Sequence, residues 1–245
     1  MHLGKTENNY ISVIIMSVVT YKKVELHLPD RYCTPGLVKS FDANTYENDM
    51  YKLVKEFVQK QHNVLEVGAC SGFISVLAAK RANRVVSVEA NPYLMESLEK
   101  TRQANQCDNL TFVNCMLEKS DDETRPFYTT AGMASGRHIT TNRKAPFDPS
   151  QEGVETHHIP TKTIDTLEKE HDITFDTLVI NVGGDELHFL QRHAKYLKRP
   201  TTKNVIIMLH GFAMKDPKFD FKCLCVLKDA QLGKNAASMS TYFLR

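Results

Sequence analysis

Three features of this chain predict an α/β fold built on a doubly wound, mostly parallel sheet. From residue 63 onward, apolar runs of strand length alternate with segments of helix length. Gly68 and Gly72, four apart, directly follow the first of these runs and open a helix. The second run ends in an acid, Glu89, about 20 positions further on. Together they place a ligand crevice at the carboxyl ends of neighbouring parallel strands.

Bulk properties narrow the class. The chain has 245 residues, enough to bury a large core without disulfide or metal staples. Lys plus Arg number 31 against 29 Asp plus Glu, and this near-balance argues against a nucleic-acid partner. A hydrophobic content of 42% excludes disorder as a description of the whole. The longest apolar stretch, residues 11–19, is broken by Ser12 and Ser17 and falls far short of the roughly 20 residues of a membrane span. It also lacks the flanks of a signal peptide. Six cysteines without a C-x-x-C pair read as reduced thiols, so a cytoplasmic location is expected and no metal.

The elements follow in order. Residues 11–28 read as two β segments, the first buried on both faces, and residues 30–42 as loop. Residues 1–42 are thus an N-terminal β extension ahead of a main domain over residues 43–245. Tyr46, Met50, Leu53, Val54, Phe57 and Val58 repeat at helical spacing. Then come a strand at 63–67, a helix at 72–82 and a strand at 84–89. The next helix takes Asn91 as cap and Pro92 at its first position. Residues 110–115 form a third strand. Residues 118–153 are polar and rich in Pro and Gly, so they read as a long functional loop. The rhythm resumes with a β segment at 157–162, a short helix at 166–169 and a strand at 175–181. A helix at 185–198 carries Leu187, Leu190, Ala194 and Leu197 on one face, and a strand follows at 204–209. Residues 221–227 and 241–244 read as two further strands, the first putting Cys223 and Cys225 on one face.

The stretch Val64-Leu65-Glu66-Val67-Gly68-Ala69-Cys70-Ser71-Gly72 carries the chemistry. Glycines there let the backbone turn sharply and let a ligand approach with no Cβ in the way. Glu89 is placed to accept hydrogen bonds from both hydroxyls of a ribose. Dinucleotide sites use G-x-G-x-x-G to pack a pyrophosphate on a helix N-terminus. Here the spacing is G-x-x-x-G, and Glu66 stands just before the turn. An acid there suits a sulfonium and an amino group, so the expected cofactor is S-adenosylmethionine rather than NAD.

In order along the chain, VLEVGACSG, VVSVEANP and TFVNC resemble the FkbM family of S-adenosylmethionine-dependent methyltransferases. The likeness runs over about residues 46–212. Tyr46-Glu47 resembles a Tyr-Glu pair ahead of the first strand. Residues 159–167 resemble the family's strand and following TLD-x-L-like element. Residues 175–186 resemble its D-x-x-K-I-D-V-E-G-x-E segment. The family's Lys, Asp and Glu of that segment fall on Val179, Asn181 and Gly183, and its acid after the fifth strand falls near His210.

This resemblance implies a Rossmann-like class I methyltransferase with a seven-stranded sheet. It implies an oxygen acceptor, commonly a sugar hydroxyl of a glycan or glycosylated metabolite. Catalysis would then need alignment of the hydroxyl and removal of its proton. Cofactor contacts are expected at Tyr46, Glu66, Gly68, Ala69, Gly72, Glu89 and Ala90, with Asn114, Cys115 and Met116 at the adenine end. His210 and Asp185 are the candidate bases, the first because an imidazole is the side chain suited to proton transfer near neutral pH. Asp185 gains from the helix dipole. Asn181 and Glu186 are expected to orient the acceptor, although Asp185 and Glu186 read equally well as helix caps. Ser135, Arg137 and His138 are expected acceptor contacts on the 118–153 loop, acting as a lid. His157 and His158 point to opposite faces of their strand and do not share a metal.

Two other functions fit the same scaffold. One is O-methylation of RNA or a small phenol, weakened for RNA by the missing aromatic-basic stripe. The other is a non-catalytic module of a larger glycan-building protein that binds S-adenosylmethionine or a glycan, motivated by Asn181 and Gly183 where the family has acids.

Overall fold

The computed structural model describes residues 16–121, 123–130, 133–137, 150–230, 234–236 and 241–244. Strands β1 (Met16–Tyr21) and β2 (Val24–Pro29) form an antiparallel hairpin outside the main sheet. Val18 is 57% exposed, so β1 buries one face, not the two expected; residues 11–15 of that prediction lie outside the described residues. Helix α1 (Pro35–Asp42) replaces the loop expected over 30–42. Thr34 caps it by accepting the Leu37 N–H at 3.2 Å, and Pro35 takes the first helical position. Helix α2 (Asn48–Phe57) buries Met50, Leu53 and Val54.

The expected alternation then appears as β3 (Asn63–Val67), α3 (Phe73–Ala79), β4 (Arg84–Glu89), α4 (Met95–Ala104) and β5 (Leu110–Asn114). Next, β6 (Met116–Leu117) leaves the main sheet. It joins β7 (Thr124–Thr130), β8 (Met133–Arg137) and β9 (Val154–Lys162) in a second sheet ordered β6-β9-β7-β8. The stretch expected to be a long loop therefore holds an antiparallel hairpin. Its β7 buries only Phe127 and Thr129, too little apolar surface to announce a strand.

The chain continues through α5 (Ile164–His171), β10 (Thr177–Ile180), α6 (Glu186–Arg192), α7 (Ala194–Leu197) and β11 (Asn204–Met208). Helix α8 (Phe219–Asp229) and strands β12 (Lys234–Ala236) and β13 (Thr241–Leu244) follow. The strand expected at 221–227 lies inside α8. Phe219, Cys223 and Leu227, four apart, are buried, while Cys225 is exposed, so the two cysteines do not share a face.

The main sheet has the order β12-β13-β11-β10-β3-β4-β5. The strands from β11 to β5 are parallel, and β13 runs antiparallel to both its neighbours. Both faces are covered. Leu65, Val67, Leu178, Ile180, Val205 and Ile207 pack with α5, α6, α7 and α8. The alternate residues Val64, Val179 and Ile206 pack with α1, α2, α3 and the N-terminal hairpin. Strand order reverses between β3 and β10, and open α/β sheets bind ligands at such a switch point.

Candidate active site

The chain leaving β3 must turn in the narrow gap between β4 and β10. Gly68 does so at φ +93°, and a Cβ there would overlap the carbonyl oxygen of Asn181. No other residue fits without moving backbone. The Gly68 and Ala69 N–H groups donate to the Val88 carbonyl at 3.0 and 3.2 Å, and the Asn181 N–H donates to Val67 at 3.0 Å. The turn is thus stitched to both flanking strands. Cys70 holds a left-handed φ of +49°, a strain typical of functional turns. Gly72, at φ +78°, would put a Cβ 2.9 Å from Leu98.

Glu89 stands at the end of β4. Its Oε2 accepts the Cys70 N–H and its Oε1 the Asn91 N–H, both at 2.8 Å. A carboxylate offers about four acceptor directions, so capacity for ligand hydroxyls is left. Asn114 donates to the Glu89 and Ala90 carbonyls at 2.7 and 3.2 Å, fixing the backbone beside that acid. Met116 opens β6 opposite Thr161. The Cys115 side chain is buried in the core, and burial pushes its thiol up to about 12. Its thiol therefore does not face the crevice.

Glu66 lies behind the turn. Strand alternation turns it to the α3 side, where it is 2% exposed. Its Oε2 accepts the hydroxyls of Ser75 and, at 2.6 Å, of Ser87. Burial pushes its carboxyl up to about 8 against these two donors. Tyr46 reaches the turn from the other side and donates to Ser71 Oγ at 2.9 Å, its ring packed among Tyr21, Phe41 and Phe73.

Glu47 was not singled out from sequence; its only signal was the Tyr46-Glu47 pair. It caps the start of α2 at φ +47°. Its Oε2 accepts the Asn181 Nδ2–H at 3.1 Å. Burial raises its carboxyl, while the Asn181 hydrogen bond and nearby His210 lower it.

The predicted acid–base residues divide into two groups. His210, just after β11, places Nδ1 2.7 Å from Glu186 Oε1. Glu186 is 0% exposed and also accepts the Gly184 N–H at 2.9 Å. With Nδ1–H given to the carboxylate, Nε2 carries the lone pair. The Phe212 ring lies 5.7 Å from the imidazole and is 71% exposed. Asp185 belongs elsewhere. Its oxygens meet His188 Nδ1 at 3.0 Å and Arg192 Nη2 at 3.3 Å, and Arg192 also pairs with Glu118 at 3.1 Å.

Of the expected acceptor contacts, Ser135 and Arg137 fall on β8, and His138 lies outside the described residues. The second sheet is pinned near the exit of β4. Glu155 accepts hydrogen bonds from Arg31, at 3.0 Å, and from the Tyr93 hydroxyl, while His157 meets the Tyr93 ring edge-on. Among the described residues no cluster of His, Cys, Asp and Glu is arranged to hold a metal ion. No helix among them is long and apolar enough to cross a membrane.

The strand order, the reversed β13 and the glycine turn define a Rossmann-like methyltransferase fold. A family model described as the Methyltransferase FkbM domain matches residues 66–228, more than half of the chain, and the chain belongs to that family of S-adenosylmethionine-dependent methyltransferases. No curated protein matches the sequence. Among solved structures it is similar to Trm5b from Pyrococcus abyssi, at 12% identity and a TM-score of 0.49. That match covers 94% of this chain and 54% of Trm5b, so the chain spans about half the length of that protein. A SAM-dependent methyltransferase from Aquifex aeolicus matches at 12% identity and a TM-score of 0.45, covering 86% of this chain and 96% of that one. Fibrillarin from Aeropyrum pernix, crystallised with natively bound S-adenosyl-L-methionine, matches at 13% identity and a TM-score of 0.43, covering 94% and 81%.

Proposed function

We propose that this chain methylates an oxygen, a sugar hydroxyl of a glycan or glycosylated small molecule, with S-adenosylmethionine as donor. The observation that carries the reading is the His210–Glu186 pair at the carboxyl end of β11, beside the exposed Phe212 ring. The donor's place is the Gly68 turn, beside which Glu89 keeps acceptor capacity for ribose hydroxyls. When bound, S-adenosylmethionine supplies a methyl group already activated on a sulfonium.

The remaining work falls to the chain. His210 Nε2 takes the acceptor's proton, and Glu186, anchored by the Gly184 N–H, holds the ring by Nδ1 and stabilises the imidazolium that forms. Asp185 is not assigned as the base because Arg192 already engages it. Phe212 offers an apolar face against which the C–H face of a sugar ring packs.

Calorimetric titration with S-adenosylmethionine and S-adenosylhomocysteine tests the donor, with Glu89→Ala as control. Binding that the variant loses supports the reading; no binding to either ligand defeats it. Radiolabelled methyl transfer to a glycan panel then tests the acceptor. Donor binding without transfer to any glycan would favour a non-catalytic binding module, the reading that Asn181 and Gly183 support where the family carries acids.

A further inference from the structure

We propose that Glu47 is the anionic seat for the amino-acid end of the methyl donor, its carboxylate receiving the donor's α-ammonium group. The inference rests on the reading that the crevice takes S-adenosylmethionine.

Three carboxylates surround the glycine turn, and two are already committed. Glu66 is walled in behind the turn and satisfied by the hydroxyls of Ser75 and Ser87. Glu89 faces the backbone N–H groups of Cys70 and Asn91, at the ribose side. The acids beyond β10 are engaged too, Asp185 by Arg192 and Glu186 by His210. Glu47 differs. It is half-buried, and its hydrogen-bond partner is an uncharged amide, that of Asn181.

Its position is equally specific. Asn181 is the residue whose carbonyl forbids any Cβ at Gly68, so the Glu47 carboxylate reaches the close contact between β3 and β10. Its chain neighbour Tyr46 bonds Ser71, further along the same turn. Residues 46 and 47 therefore bracket the glycine turn from outside. A glutamate at φ +47° is an uncommon choice, since Asn tolerates that conformation better. Keeping a longer acid there trades local comfort for a negative charge over the turn. Burial raises that carboxyl, and an arriving ammonium would favour its ionised form.

The test is calorimetric titration of the whole chain with S-adenosylmethionine, S-adenosylhomocysteine and 5′-methylthioadenosine, which lacks the amino-acid end. The variants are Glu47→Gln and Glu47→Asn, each with a thermal unfolding midpoint. Glu47→Asn relieves the backbone and is expected to raise that midpoint. Both variants are expected to weaken the first two ligands alike, by about 10- to 100-fold. Neither should change 5′-methylthioadenosine. Equal loss for all three ligands would overturn the proposal by showing a role in shaping the turn. Loss confined to S-adenosylmethionine would overturn it by showing contact with the sulfonium. Unchanged affinity with lost methyl transfer would overturn it by making Glu47 a base. A wild-type chain that binds none of the three would sink the donor reading and this proposal with it. A wild-type chain that binds while both variants bind equally well would sink this proposal alone.

Discussion

The two sides of the crevice are built by different means. On the β3–β4 side the parts are held by backbone. Gly68 and Ala69 donate to Val88, Asn181 donates to Val67, and Glu89 is gripped by two peptide N–H groups. On the β10–β11 side they are held by side chains. His210 depends on Glu186, and Asp185 on Arg192, which leans on Glu118. Backbone constraints admit almost no substitution, whereas side-chain pairs can be exchanged while the strands stay put.

Substitutions sharpen this contrast. The largest effect is expected from Gly68→Ala, which sets a Cβ against the Asn181 carbonyl at φ +93°. It should cost about 3 kcal/mol or more, read from urea unfolding, and abolish donor binding. A Gly68→Ala chain of unchanged stability would break the claim that backbone rules this side. Next comes His210→Ala on the opposite side. Methyl transfer should fall by about 100- to 10,000-fold while donor affinity and unfolding midpoint hold steady. Retained turnover would remove His210 as the base.

Two buried titratable groups, Glu66 on β3 and His193 after α6, have opposed pH signatures. Burial raises Glu66 from 4.5 to about 8, so the folded chain keeps a proton that the unfolded chain releases. Stability should therefore fall as pH rises from about 4.5 to about 8, and Glu66→Gln should flatten that slope. Burial lowers His193, between α6 and α7, from 6.5 to about 4, and its Nε2 has no hydrogen-bond partner among the described residues. Here the unfolded chain takes up the proton first. Stability should fall as pH drops from about 6.5 to about 4, and His193→Gln should flatten that slope. Unfolding curves across a pH series measure both. The smallest effect is expected at Phe212→Ala, where KM for a sugar acceptor should rise about tenfold with kcat little changed. A change in donor affinity instead would place that ring on the wrong side of the crevice.

The same contrast explains what could be read from sequence. Strands β3 and β4 were legible to the residue because burial on both faces favours Val and Leu, interrupted inside the strands by Glu66 and Ser87, which bond each other. The glycine turn was legible because it answers a local demand of the backbone. Helix α8 was misread because Phe, Cys and Val favour strands, and its buried positions show only at four-residue spacing. Strand β7 hid in a polar segment, with only Phe127 and Thr129 buried along it. Thr34-Pro35 carries the cap signal of α1, but the short helix behind it buries only Phe41. The contact that Glu47 makes is hidden from sequence for a deeper reason. Its partner Asn181 lies 134 residues away, and only the switch in strand order brings them together.

The placement of β13 bears on how the molecule comes into being. This strand, the last of those described, lies inside the sheet and pairs with β11, Phe243 opposite Ile206 and Leu244 opposite Val205. During synthesis, β11 therefore emerges well before the neighbour that covers its outer edge. The run NVIIM waits with an open ladder of amides and carbonyls, the state in which nascent chains join one another. A chain clipped before residue 241 should accumulate as aggregate, so β13 guards β11 against its own siblings on the polysome.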